Sequence, residues 1–386
     1  MSATGTSPDR LIPVFDLRIS EEDLEAVAET LRSGWLTQGP RTQAFEEAFA
    51  AAIGARHAVA VSSCTAALHL AYLAAAIGPG DEVIVPSFTM VATAAAVLYA
   101  GGTPVFADII SPQEPLLDPA HVEALIGPRT KAVVAMHFGG YAAPLQQLVD
   151  ICSEHGLVLV EDAAHAPLAR TDGRSLGTWG LAGAFSFFSN KVLPAGEGGL
   201  LATDDEEVAA VARLRRSHAM TTVSWERFRG RAKQYDVTEL GFNYRIDDPR
   251  AALLLSRLRR LPAEIARRRQ LTARYRDLLG DVPGVTLPFT DESVGDSSCY
   301  VMPVMVDDPD RRDPLRIRLR ERHGVQTSVF YPAIHQFSAY RQRFPGISLP
   351  RTEDAACREI TLPLFAHMTE DEQDQVVMAI TSELEQ

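Results

Sequence analysis

The 386-residue chain reads as an α/β protein: a three-layer α/β/α unit around a mostly parallel sheet, followed by a smaller α+β unit. Three observations predict this. Short, continuous apolar runs recur between about residues 57 and 205, and strands without polar alternation belong to a sheet covered on both faces. Ala- and Leu-rich helical stretches separate several of these runs, as crossover connections require. The length is two to three times that of a typical domain, and the pattern changes after 205. We place the two units at 12–248 and 249–386.

The elements follow in order. Ser20, followed by Glu21, Glu22 and Asp23, caps a first helix, and residues 43–53 form a second one that stops at Gly54. Strands are predicted at Ala58–Ser62, Glu82–Pro86, Thr103–Asp108, Ala132–His137, Leu157–Asp162 and Ala184–Phe188, with helices at 65–77 and 90–99 among them. Residues 206–216 are helical, and 217–245 are polar, irregular and rich in Arg and aromatic residues. Asp248-Pro249 starts a long helical tract running to about 280, with a kink or break at Pro262. The C-terminal part mixes strands (Cys299–Val306, Gln326–Phe330) with helices (314–323, 369–385), and there is no internal repeat.

Composition narrows the function. The net charge of −13 argues against a nucleic-acid polymer or an anionic membrane as partner, while leaving room for a local anion site. Four cysteines without a C-x-x-C pair, no secretory apolar segment after Met1 and no run of 18 apolar residues predict a reduced, cytoplasmic protein with no membrane span. Only three of the 37 basic residues are Lys: Lys131, Lys191 and Lys233. Arginine does not condense with a carbonyl, so lysine chemistry has three possible addresses.

Asp162 stands at the carboxyl end of the run Leu157–Val160, where open parallel sheets bind ligands; alone, it reads equally well as the start of an ordinary loop. Lys191 follows an aromatic strand and precedes the glycine-rich Gly196-Glu-Gly-Gly199, a poor setting for a solvated surface charge. Lys131 reads as a strand entry and Lys233 as a surface or phosphate contact. A desolvated lysine and a strand-end aspartate suit pyridoxal phosphate (PLP), the lysine holding the aldehyde and the aspartate keeping the pyridine nitrogen protonated. Ser62-Ser63-Cys64-Thr65 opens a helix directly after a strand, which suits a phosphate, although a capped helix start is common. No G-x-G-x-x-G, P-loop or H-E-x-x-H pattern competes, so no metal is predicted.

At these residues the chain resembles the DegT/StrS group of PLP-dependent nucleotide-sugar aminotransferases, within the fold-type-I aspartate aminotransferase superfamily. The motifs run in family order: Ser33-Gly-Trp-Leu-Thr-Gln-Gly-Pro40, Ser63-Cys-Thr-Ala-Ala-Leu68, Val85-Pro-Ser-Phe-Thr89, Glu161-Asp-Ala-Ala-His165, Ser186-Phe-Phe-Ser-Asn-Lys191 and Gly196-Glu-Gly-Gly199. Gly241-Phe-Asn-Tyr-Arg245, Tyr331-Pro-Ala-Ile-His335 and Leu362-Pro363-Leu364 complete the series.

The resemblance implies that 12–248 is the PLP-binding domain, with Lys191 as the Schiff-base lysine and proton carrier. It implies Asp162 as the pyridinium partner, His165 beside the ring hydroxyl, and Ser63, Cys64, Thr65 and Ser186 at the phosphate. Asn243 is implied to reach the phosphate of a neighbouring subunit in a homodimer with shared sites. Met90 takes a position that is often aromatic, so the residue stacking on the ring is left open. Trp35, Thr37, His218, Tyr331 and His335 lie in loops matching the substrate site. Arg229, Arg231 and Lys233 read equally as diphosphate contacts or as a solvated basic loop.

A dehydrating branch carries His at the lysine position, so Lys191 favours transamination. The expected reaction moves an amino group from glutamate or glutamine to a nucleotide-linked keto-deoxysugar such as dTDP-4-keto-6-deoxyhexose, in antibiotic amino-sugar biosynthesis. A keto-cyclitol aminotransferase and, further off, a non-catalytic PLP-binding regulator are the alternatives.

Overall fold

The computed structural model describes residues 11–222, 225, 229–230 and 234–385. Its centre is a seven-stranded sheet of β1 (His57–Val61), β2 (Glu82–Pro86), β3 (Thr103–Ala107), β4 (Thr130–Met136), β5 (Val158–Asp162), β6 (Ala182–Ser186) and β7 (Gly199–Thr203). The spatial order is β1-β7-β6-β5-β4-β2-β3. All are mutually parallel except β7, which pairs antiparallel with both β1 and β6. The six predicted strands are present. The sequence reading missed β7, a short glycine-led strand.

Alternating residues of each strand feed two cores, which makes the three layers. On one face Ala60, Ile84, Val133, Leu159 and Phe185 pack against Phe45 and Phe49 of α2 (Pro40–Ile53), Leu148 of α5 (Leu145–His155) and Leu254 of α7 (Asp248–Leu258). On the other, Val59, Val83, Val85, Val134 and Val160 meet Leu68 and Leu70 of α3 (Cys64–Ala74), Val97 of α4 (Ala92–Tyr99) and Val208 of α6 (Glu206–Arg216). Helix α1 (Glu21–Arg32) starts at the Ser20–Asp23 capping box.

The predicted tract from 248 is interrupted at Arg259–Arg260, and α8 (Leu261–Leu279) carries Pro262 in its first turn. Beyond it, β8 (Val285–Thr286), β9 (Met302–Val306) and β10 (Glu359–Leu362) form a separate antiparallel sheet. Leu271 and Tyr275 of α8, Leu319 of α9 (Pro309–His323) and Ile380 of α10 (Glu370–Leu384) pack on it. The expected strand Gln326–Phe330 makes only a single bridge, Ser328 to Thr361 of β10, and β10 itself, which pairs with β9, was missed in the sequence. Among the described residues no helix is long and apolar enough to cross a membrane.

Candidate active site

Because β1, β5 and β6 run parallel, the loops that leave Val61, Asp162 and Ser186 emerge at one edge of the sheet. The Ser63 hydroxyl caps α3 by accepting the Ala66 N–H at 3.1 Å, leaving the other first-turn amides and the positive end of the helix facing the edge. Strand β7 passes directly beneath. A Cβ on Gly199 would lie 2.2 Å from the Ser63 carbonyl carbon and 2.4 Å from the Cys64 nitrogen, so only glycine lets the two backbones approach this closely.

Two adjacent carboxylates end β5, and strand alternation sends them to opposite faces. Asp162 enters the site: its Oδ2 accepts the Thr93 hydroxyl at 2.6 Å and its Oδ1 the Ala164 N–H at 3.2 Å. Glu161 turns away, accepting the N–H groups of Gly177, Trp179 and Gly180 at 2.6–2.9 Å and lying 3.0 Å from His137 Nε2. It anchors a turn.

His165 Nδ1 accepts the Gly139 N–H at 3.2 Å, which assigns the ring proton to Nε2, 2.8 Å from the Tyr331 hydroxyl. Burial, with the Lys191 charge beside it, holds His165 far below the ordinary imidazole range, so it is neutral. The Lys191 residue is half-buried while its amine is enclosed, 4.4 Å from the centre of the Tyr300 ring. Burial pushes its pKa down to about 8, against the opposing pull of Cys64 and Asp162. Burial also pushes the Cys64 thiol well up, so that side chain is a neutral wall.

These groups bound one cavity of about 330 Å³, into which Lys191, Asp162, His165, Ser63, Cys64, Thr65, Ser186, Met90 and Tyr331 all open. An enclosed amine of lowered pKa, a buried carboxylate and a helix N-terminus around one cofactor-sized space match the three poles of PLP: aldehyde, pyridine nitrogen and phosphate.

Residues 17–381 match the DegT/DnrJ/EryC1/StrS aminotransferase family. The chain belongs to that family. It is 39% identical over 368 residues to the spore coat polysaccharide biosynthesis protein SpsC of Bacillus subtilis, covering 94% of each chain. Among solved structures it resembles the aminotransferase TlmJ of Streptoalloteichus hindustanus, with 37% identity, TM-score 0.90, and 97% and 99% of the two chains covered. It also resembles DesI, solved in the presence of its TDP-sugar product, with 35% identity, TM-score 0.86, and 96% and 92% covered. Solved relatives carry the cofactor in its PLP and pyridoxamine forms. This DegT/StrS protein is therefore a PLP-dependent sugar aminotransferase.

The remaining expected site residues of this aminotransferase lie outside the cavity. Trp35 is edge-on to Trp225 at 4.7 Å between ring centres and donates to the Gln38 carbonyl; Thr37 and His218 are exposed. Asn243 is exposed too, bridging to Ser217 at the backbone. Arg229 is exposed and lies over the Trp225 ring, and Arg231 and Lys233 fall outside the described residues. His335 is 4% exposed, its Nδ1 2.7 Å from Ser87 Oγ and its Nε2 3.1 Å from Glu353 Oε1. Both ring nitrogens are engaged, so within this chain it braces the loop after β2 and presents nothing to a substrate. Sequence reasoning missed Thr93, Tyr300 and Phe330, which support or line the cavity and sit in segments with no local motif.

Proposed function

We propose that this aminotransferase moves an amino group from glutamate or glutamine to a nucleotide-linked keto-deoxysugar, with a dTDP-4-keto-6-deoxyhexose as substrate, and works as a cytoplasmic homodimer in amino-sugar biosynthesis. The observation that carries this reading is the convergence of Lys191, Asp162 and the α3 N-terminus on one cavity. Asp162 would hold the ring nitrogen, Ser63, Cys64, Thr65 and Ser186 the phosphate, and Lys191 the aldehyde carbon. When bound, PLP supplies an electron sink for the carbon that bears the amino group.

The chain's own residues do the rest. With a pKa of about 8, Lys191 Nζ is able both to accept a proton and to return one near neutral pH. Neutral His165 offers its Nε2–H, steadied by the Tyr331 hydroxyl. Thr93 keeps the Asp162 carboxylate oriented. A lysine rather than a histidine at 191 favours transamination over loss of a hydroxyl.

The homodimer is supported by Asn243, which lies outside its own cavity, and by Met90 and Phe188 at the cavity wall, which are 50% and 45% exposed. Apolar surface of this kind at a site is suited to a second subunit. Placing 12–248 around the cofactor and 249–386 over it belongs to the same proposal, supported by the two separate sheets.

The reading is tested by incubating purified enzyme and glutamate with a panel of nucleotide-linked keto-sugars and free keto-cyclitols, following amination by mass. Lys191→Ala should lose both turnover and the visible absorption of bound cofactor, whereas substitutions of Lys131 and Lys233 should keep the absorption. Amination of a free cyclitol alone would overturn the substrate class.

A further inference from the structure

Beneath the site lie two titratable side chains that the chemistry at Lys191 does not use. His137, directly after β4, and Glu161 of β5 are both fully buried, and neither opens into the cofactor cavity. His137 Nδ1 accepts the Ala143 N–H at 3.1 Å. The ring must then carry its proton on Nε2, which donates to Glu161 Oε2 at 3.0 Å. Three backbone N–H groups, from Gly177, Trp179 and Gly180, complete the shell of donors around the carboxylate, so that it accepts and never donates. Glu161 therefore decides the tautomer of His137, and the tautomer makes Nδ1 an acceptor.

That acceptor spans a tight turn. Gly139 and Gly140 have φ of +66° and +92°, values that favour glycine. His137 grips the turn twice: its carbonyl accepts the Gly140 N–H at 3.0 Å, and its ring accepts the Ala143 N–H. The middle of the turn meets two groups of the site. The Gly139 N–H donates to His165 Nδ1 at 3.2 Å, and the Gly139 carbonyl accepts the Tyr300 N–H at 2.9 Å. The Ser298 hydroxyl, which a Cβ on Gly140 would meet at 2.0 Å, donates to the His165 carbonyl at 2.5 Å. His165 faces the cavity, and the Tyr300 ring lies beside the Lys191 amine.

We propose that His137 is a positioning residue for the transamination at Lys191: with its tautomer set by Glu161, it holds the Gly139–Gly140 turn that orients both His165 and Tyr300. This rests on the placement of Lys191 and His165 at the cofactor. Without an acceptor at 137, the Ala143 N–H is left buried and unpaired, and the turn relaxes. His165 then loses the donor that keeps its Nδ1 free of a proton. Tyr300 draws back with the Gly139 carbonyl, and water reaches an amine whose lowered pKa depends on burial. A side chain remote from the cavity thus governs where the proton sits on His165 and how readily Lys191 gives one up.

The test compares His137→Ala, His137→Asn and Leu148→Ala in the full-length enzyme. Asn places its side-chain oxygen where Nδ1 stands and so keeps the acceptor. Leu148, buried in the core on the same side of the sheet, is the control for simple destabilisation. Two quantities are read: the pH midpoint of Lys191 modification in cofactor-free enzyme, and kcat and KM of the PLP-loaded enzyme. In His137→Ala the midpoint should rise by about half a pH unit or more, and kcat should fall about tenfold or more with the KM for glutamate little changed. His137→Asn should recover most of both, while Leu148→Ala should lower Tm and move neither. Should the alanine variant not fold, His137→Gln, which keeps a donor to Glu161 and loses the acceptor to Ala143, carries the same expectation. A wild-type midpoint and kcat in His137→Ala or His137→Gln would overturn the proposal, as would equal shifts in Leu148→Ala. If Lys191→Ala keeps the absorption of bound cofactor, the site reading itself falls, whatever the His137 variants show.

Discussion

Thr93 donates its hydroxyl hydrogen to Asp162 Oδ2 at 2.6 Å, from the first turn of α4 to the end of β5. Both side chains are buried, and a hydrogen bond to a charged acceptor is worth about 1.5–3 kcal/mol. Thr93→Val keeps the shape and removes the donor. We expect the variant to fold and its cofactor Kd to rise about tenfold or more, read by absorbance titration. An unchanged Kd would detach Asp162 from the pyridine nitrogen.

Lys191 should titrate early. With its pKa lowered to about 8, the amine is protonated and unreactive below that pH and free above it. In cofactor-free enzyme, modification by an amine-directed reagent should rise through a midpoint near 8. Lys131, half-exposed with its amine 4.0 Å from Asp81, supplies the comparison within the same molecule. Identical pH profiles for the two lysines would show that Lys191 is not desolvated.

Glu359 is buried, accepting the Phe330 N–H at 2.6 Å and the Thr361 hydroxyl at 2.5 Å. Burial raises its pKa to about 8, above its unfolded value. The folded state therefore binds the extra proton, and the stabilisation present below about pH 4.5 is lost as pH rises through 8. Glu359→Gln keeps the neutral shape. The variant should match the wild type in acid and exceed it by on the order of 1–3 kcal/mol above pH 8, measured by urea unfolding across that range. A stability gap independent of pH would refute the assignment.

His335 distinguishes a brace from a substrate contact. Replacing it with Ala removes the ring contacts to Ser87 and Glu353 and leaves each only its backbone N–H donor, and we expect a loss of about 1–3 kcal/mol in stability with the KM for the sugar substrate little changed. A raised KM at unchanged Tm would restore it to the binding site.

The sequence was most legible where physics is local. Continuous apolar runs identified six strands, and Lys191 stood out because a lone lysine between an aromatic strand and a glycine turn has no surface explanation. Asp162 could be placed at a strand end, but not separated from Glu161 until the pleat sent the two to opposite faces. Thr93 and Tyr300 left no trace, since a single threonine or tyrosine acquires its role only when distant segments meet. Likewise, β10 pairs with β9 on one side and meets Ser328 by a single bridge on the other, a pairing settled by tertiary structure and invisible to any short window.

Strand β7 has a consequence for how the enzyme comes into being. It joins β1, which leads into the α3 N-terminus proposed for the phosphate, to β6, which leads to the lysine, through pairings such as His57 with Thr203. That contact closes a loop of more than a third of the chain, and pairings of such long sequence separation form slowly. On the ribosome the two halves of the cofactor site stay apart until Thr203 has emerged. Vitamin capture thus cannot precede completion of the sheet, and a nascent chain stalled before that point should leave the tunnel colourless.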